Sequence, residues 1–252
     1  MSRRGRRLER TRSSSERQTN RASLNLTSLV MTVVLIGAVV LAGVLLAPQA
    51  IAFVQDELGP SVEPPEPGDR NPPVTDPGDQ GHSSYETDTE RVNSSAVEDR
   101  VHELVNERRA EDDLEPLAWD GTVASVSRAH SQDMHADDRF AHVNADGESP
   151  YDRFGDVADY CRAYGENIAL TSVGTTVERS HDGEHVEYQT ADELAEGLVE
   201  QWMHSEEHRA TILEESDEID GWDRGGVGVY IADDGRVFAT HNFCTVRKTF
   251  DW

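Results

Sequence analysis

The chain reads as an α+β protein with an apolar N-terminal helix. Three observations predict this: an uncharged run of residues near the start, amphipathic helical patterns through the middle, and alternating strand patterns at the end. The helical patterns come first, followed by one strand, more helix and a closing hairpin, an order that fits an antiparallel sheet covered by helices.

The chain has 252 residues and divides by composition into four parts. Residues 1–27 form a cytoplasmic basic flank; Met1–Arg21 alone carries eight arginines against two glutamates and no apolar periodicity. Residues 28–53 follow as a membrane-spanning signal anchor. Leu29–Leu46 holds no charge and, extended to Phe53, is long enough to cross a bilayer. The positive flank predicts a cytoplasmic N-terminus and a C-terminal domain outside the cell membrane. Ala50-Ile51-Ala52 also resembles a signal-peptidase site, so release after cleavage is the rival expectation.

Residues 54–94 are rich in Pro, Gly, Asp, Glu, Ser and Thr, a composition expected to give a disordered, extended stalk. Asn93-Ser94-Ser95 on this segment is an N-glycosylation sequon. Residues 95–252 are left as the folded domain, large enough for a core of its own.

Within that domain Ser95-Ala96-Val97-Glu98 has capping-box spacing, and Val97, Val101, Leu104 and Val105 recur at helical intervals to about Arg109. Asp120 caps a second helix over about Gly121–His135. Ser149-Pro150 opens a short third one. Ile168–Thr171 reads as a strand, and Thr171–Gln189 as an inserted hairpin turning at Asp182-Gly183. A capping box at Thr190–Glu193 starts a helix carrying Leu194, Leu198, Trp202 and Met203, with Trp202 as a core anchor. Ser205 caps a further helix to Leu213. Val227–Ala232 and Arg236–Phe243 then alternate around Asp233-Asp234-Gly235 as a terminal hairpin.

The formal net charge is −26, and Lys248 is the single lysine. So acidic a surface excludes nucleic acid as a partner and suits a protein hydrated in high salt, a halophilic signature. Cys161 and Cys244 are the only cysteines; in an exported chain they read as a disulfide, the alternative being two separate buried thiols. No GxSxG nucleophile phrase, HExxH helix or phosphate-binding glycine loop occurs.

Of ten histidines, three stand in phrases that invite chemistry: His130 in AHSQDM, His142 in FAHV and His208 in WMHSEEHR. His130 reads as a helix-face residue bonded internally. Glu166, held in Gly165-Glu166-Asn167 before a strand, is poorly explained by packing.

These phrases, in order with VHELVNERRAEDDLEPLAWDGTV, YDRF, GENIAL, GVGVY and THNFC, resemble the CAP superfamily (cysteine-rich secretory protein, antigen 5, pathogenesis-related 1; the SCP domain), and its compact microbial branch most closely. The resemblance spans Val97–Phe243. It implies an α-β-α sandwich with a cleft where two histidines and two acidic residues meet and in many members hold a divalent metal such as zinc. Carried over by motif, His142, Glu166 and His208 are the cleft residues. The position of the second acid is Ser205 here, so Glu207 or Glu206 would have to substitute, Glu207 preferred beside His208; neighbours on a helix do not share a face, so this needs non-helical backbone. The expected function is binding of a lipid, glycan or surface-protein ligand at that cleft, with the metal set His142/Glu166/His208/Glu207. The alternatives are a metal-dependent hydrolase on the same residues and a purely structural or adhesive surface protein.

Overall fold

A computed structural model describes residues 62–216 and 221–247, all within the second of two compact units, residues 61–252. The expected anchor at 28–53 lies outside the described residues. Among those described, no helix is long and apolar enough to cross a membrane.

In chain order the elements are β1 (Ser84–Glu86), β2 (Arg91–Asn93), α1 (Ser94–Glu111), β3 (Ala118–Trp119), α2 (Gly121–Ala136), α3 (Pro150–Val157), β4 (Cys161–Ser172), β5 (Thr176–Glu178), β6 (His185–Glu187), α4 (Ala191–Met203), α5 (Glu206–Ile212), β7 (Arg224–Ile231) and β8 (Arg236–Val246). The central sheet has the order β3-β7-β8-β4, antiparallel except for the short parallel pairing of β3 with β7. β1–β2 and β5–β6 are separate two-stranded hairpins, the latter with its turn at the predicted place.

The strand alternation of β7 and β8 sends their side chains to two layers. Val227, Val229, Ile231, Val237, Ala239 and Phe243 join a core with Val101 and Val105 of α1 and Leu194, Leu198 and Trp202 of α4. Trp202 is fully buried and donates its indole N–H to the carbonyl of Ile168 at 3.0 Å, the anchor role expected of it.

On the other face Gly226 and Gly228 have no side chain, and α2 lies directly on the strand there. A Cβ on Gly228 would stand 2.0 Å from the backbone N of Arg128, and one on Gly226 2.2 Å from that of Ala124. Ser127 and Ser131 of α2 use this approach to donate their hydroxyls to the carbonyls of Gly226 and Gly228, at 2.8 and 2.9 Å. The alternating glycines of GVGVY thus serve helix–sheet contact.

Cys161 and Cys244 form the expected disulfide, tying the start of β4 to β8 across 83 residues of sequence. β4 is longer than predicted, twelve residues rather than four, because the ladder to β8 continues back through Gly165 and Glu166 to Cys161.

Two expectations need correction. Residues 62–93 are not a free stalk but lie along the domain. The backbone N–H of Asp76 donates to Ser125 Oγ at 2.8 Å and that of Gln80 to Gln132 Oε1 at 2.9 Å. The carbonyls of Val74 and Gly81 accept from Thr122 and Gln132. The composition is too polar to build a core, but polar side chains along α2 supply the partners instead, and Val92 is fully buried. The predicted capping box at Ser95–Glu98 is likewise not formed. Asn93 is the N-cap of α1, and Glu98 turns inward, accepting from the N–H of Val229 at 3.0 Å and from Arg128 at 3.2 Å. A buried backbone donor on β7 is the stronger claim on that carboxylate.

Candidate functional site

Glu166 sits in β4 opposite Asn242 of β8, so both side chains leave the sheet on the face covered by α2 and α3. Its side chain is 1% exposed, and both oxygens are engaged. Oε2 accepts from Arg153 Nη2 at 2.5 Å, and Oε1 meets His142 Nδ1 at 2.9 Å. A carboxylate paired with a guanidinium offers only acceptors, so the hydrogen of this contact lies on His142 Nδ1, and Nε2 is the ring nitrogen left outside it. The ring of His142 is 48% exposed.

The loop bearing His142 is held from two sides. Arg153, on α3 after a capping box formed by Ser149 and Asp152, donates through Nη1 to the carbonyls of His142 at 2.7 Å and Glu148 at 3.1 Å. His130, on α2, meets the carbonyl of Ala141 through Nε2 at 3.1 Å, which makes Nε2 the donor; the same nitrogen is 3.8 Å from Glu166 Oε1. Burial pushes the His130 imidazole down to about 4, only partly opposed by the charge of Glu166. It is therefore a neutral ring at ordinary pH.

His208, half-buried on α5, is also held below the ordinary imidazole range, by burial first and by the neighbouring His142 second. Asn167, the residue after Glu166, donates to the carbonyl of His208 at 3.0 Å and so ties α5 to β4. Behind this rim several buried polar atoms have no partner among the described residues: both side-chain atoms of Asn242, the hydroxyl of Tyr164, Arg153 Nε, and Nδ1 of His130 and of His208. Buried polar groups are normally satisfied, and these atoms keep unused hydrogen-bonding capacity.

The structure therefore brings His142 and Glu166 into contact and places the His208 ring within electrostatic reach of His142. It does not bring in Glu207, which is exposed in the first helical turn of α5, where neighbouring side chains point about 100° apart. The expected metal set does not fit these side chains. Glu166 is balanced by a buried guanidinium and used by His142. Among the described residues no group of three or more His, Cys, Asp or Glu side chains is arranged to hold a metal ion. Two imidazoles alone fall short of the three protein ligands of an open zinc site.

Arg153 was not among the residues the sequence singled out, and His130 had only an internal role. The signal for Arg153 was an arginine within the phrase YDRF, on the proline-started helix. For His130 it was the phrase AHSQDM itself, whose helical period placed the ring on the buried face without saying what it would meet there.

The molecule is thus a mixed α/β domain whose sheet carries a buried glutamate beneath a half-exposed histidine. Residues 102–246 match the model of the CAP family, the cysteine-rich secretory protein family, and the chain belongs to that family. It is 33% identical over 119 residues to the uncharacterized protein YkwD of Bacillus subtilis (strain 168), and 30% identical over 146 residues to the uncharacterized membrane protein YlbC of the same organism. These matches cover 47% and 58% of this chain but only 38% and 34% of those relatives. Among solved structures it is similar to an extracellular protein containing a SCP domain from Bacillus anthracis str. Ames, at 29% identity and a TM-score of 0.44, covering 62% of this chain and 41% of that one. It is also similar to an outer surface protein from Borrelia burgdorferi, at 14% identity and a TM-score of 0.48, covering 66% of this chain and all of that one.

Proposed function

We propose that this chain is an exported CAP domain, tethered through residues 28–53, that binds a neutral, hydroxyl-rich ligand of the cell surface, a glycan, at His142 and His208 without turning it over. The observation that carries this reading is the 2.9 Å contact of His142 with Glu166, whose charge Arg153 already balances. The Glu166 carboxylate is then not free to draw a cation. The cleft offers the half-exposed imidazole of His142, whose second ring nitrogen is free to hydrogen-bond a hydroxyl. Phe140 and Val143 flank His142 on its loop and Tyr151 opens α3; all three are large apolar side chains left exposed. Apolar surface around a few aimed hydrogen-bonding groups is the ordinary make-up of a small-ligand site.

Hydrolysis finds less support. No nucleophile phrase is present, and the carboxylate that would serve as a metal ligand or general base is committed to Arg153 and His142. The export reading rests on the uncharged run at 29–46 and is in keeping with the one relative named as a membrane protein.

The test is a binding screen of residues 61–252 against purified surface glycans, with lipid vesicles and soluble surface proteins as rival ligands. Retention of a glycan that is lost with His142→Ala supports the reading. Retention of vesicles or proteins alone, or product release from any glycan, overturns it.

A further inference from the structure

Asn93 is the N-cap of α1, a position where asparagine ordinarily turns its side chain back to accept from the second or third helical N–H. Here it does not: the backbone is extended at φ −98° and ψ 133°, and the side chain makes no capping hydrogen bond. The first helical N–H, that of Ser94, is satisfied elsewhere, donating to the carbonyl of Ser83 at 2.9 Å across the β1–β2 hairpin. The cap is thus built from backbone and from Ser94, whose hydroxyl accepts from the N–H of Ser83 at 3.0 Å. The Asn93 amide is left exposed and uncommitted at the end of an edge strand.

The two residues that follow complete Asn93-Ser94-Ser95, and Ser95 at the third position is half-exposed. We infer that Asn93 is a glycan attachment site, its carboxamide nitrogen joined to the reducing sugar of an oligosaccharide carried on a lipid phosphate donor. The new bond is from nitrogen to the anomeric carbon, the leaving group is the lipid phosphate, and the amide proton departs to solvent. The glycan projects from the hairpin at the start of α1 and leaves the fold undisturbed, because the side chain it modifies holds nothing in place.

A second sequon supplies an internal comparison. Asn25-Leu26-Thr27 precedes the uncharged run and falls on the side where the arginine-rich flank is retained. It remains bare if the chain has the expected orientation, and Asn93 alone is modified.

The experiment is mass spectrometry of the full chain purified from the cells that make it, reading the tryptic peptide Val92–Arg100. The oxidised state of Cys161–Cys244 is measured in the same sample as a record of export. The expected result is a sugar increment on Asn93 that disappears in Asn93→Gln and Ser95→Ala and persists in Ser95→Thr, with unchanged thermal midpoints for all three variants. An unmodified Asn93 in oxidised protein overturns the inference, as does an increment on Asn25 with Asn93 bare. A chain with reduced cysteines and no sugar overturns both this inference and the exported location.

Discussion

Arg153 and Glu166 form a buried ion pair at 2.5 Å in which the arginine also grips the carbonyl of His142, so one guanidinium both balances the carboxylate and holds the His142 loop. Neither partner can be spared alone. Truncating one leaves the other charge buried and unpaired, which typically costs about 3–5 kcal/mol. Arg153→Ala and Glu166→Ala are each expected to lower the urea midpoint strongly. The double variant Arg153→Met/Glu166→Leu is expected to regain part of that loss. Equal stabilities for single variants and parent would contradict the pair.

The approach of α2 to β7 makes Gly228 irreplaceable for a steric reason. Gly228→Ala puts a methyl 2.0 Å from the Arg128 backbone and must push the helix off the sheet, with an expected loss of about 1–3 kcal/mol or more. Gly155 is the opposite case, on α3 with open space where its Cβ would be. Gly155→Ala is expected to stabilise by about 0.5–1 kcal/mol. Chemical denaturation of the two variants side by side checks the contrast.

Acid should unfold the domain through its buried imidazoles. His102 and His130 are both pushed down to about 4 by burial, and His241 lies well below the ordinary range for the same reason. Unfolded, each takes a proton near 6.5, while the folded rings of His102 and His130 refuse it until about 4. The unfolded state therefore binds more protons in this window, and stability present above about pH 6.5 is lost as pH falls toward 4. His82 works in the other direction, raised by its contact with Glu98, so its contribution is present below 6.5 and fades as pH rises. Denaturant midpoints from pH 7 to pH 4 should fall more steeply for the parent than for His130→Gln, whose side chain does not titrate.

Reduction of Cys161–Cys244 removes a bridge across 83 residues and is expected to cost about 2–4 kcal/mol. The pairing pins the strand that carries Glu166 to β8, so the reduced protein should also show faster amide exchange at Gly165–Asn167. An unchanged thermal midpoint after reduction would contradict a stabilising bridge.

Much of this was legible in the sequence, for reasons that differ by element. The Thr190 capping box, the caps at Ser149 and Asp120 and the Asp182-Gly183 turn were readable because each is decided by residues within a few positions. Glu98 was misread because its partner, the N–H of Val229, is 131 residues away. The segment 62–93 was misread for a related reason: its composition forbids a core of its own but says nothing of the serine, threonine and glutamine side chains that α2 holds out to it. At the site, His142 and Glu166 could be named from their phrases. Arg153 could not be assigned, because its role exists only once α3 stands between the His142 loop and β4.

We propose that a glycan ligand meets His142 directly, without a metal and without turnover. Calorimetric titration of the parent and of His142→Ala with a glycan retained in the screen, each with and without chelator, tests it most directly. The predicted result is saturable binding by the parent that chelator leaves unchanged and that His142→Ala abolishes; binding abolished by chelator, or retained in full by His142→Ala, would contradict it.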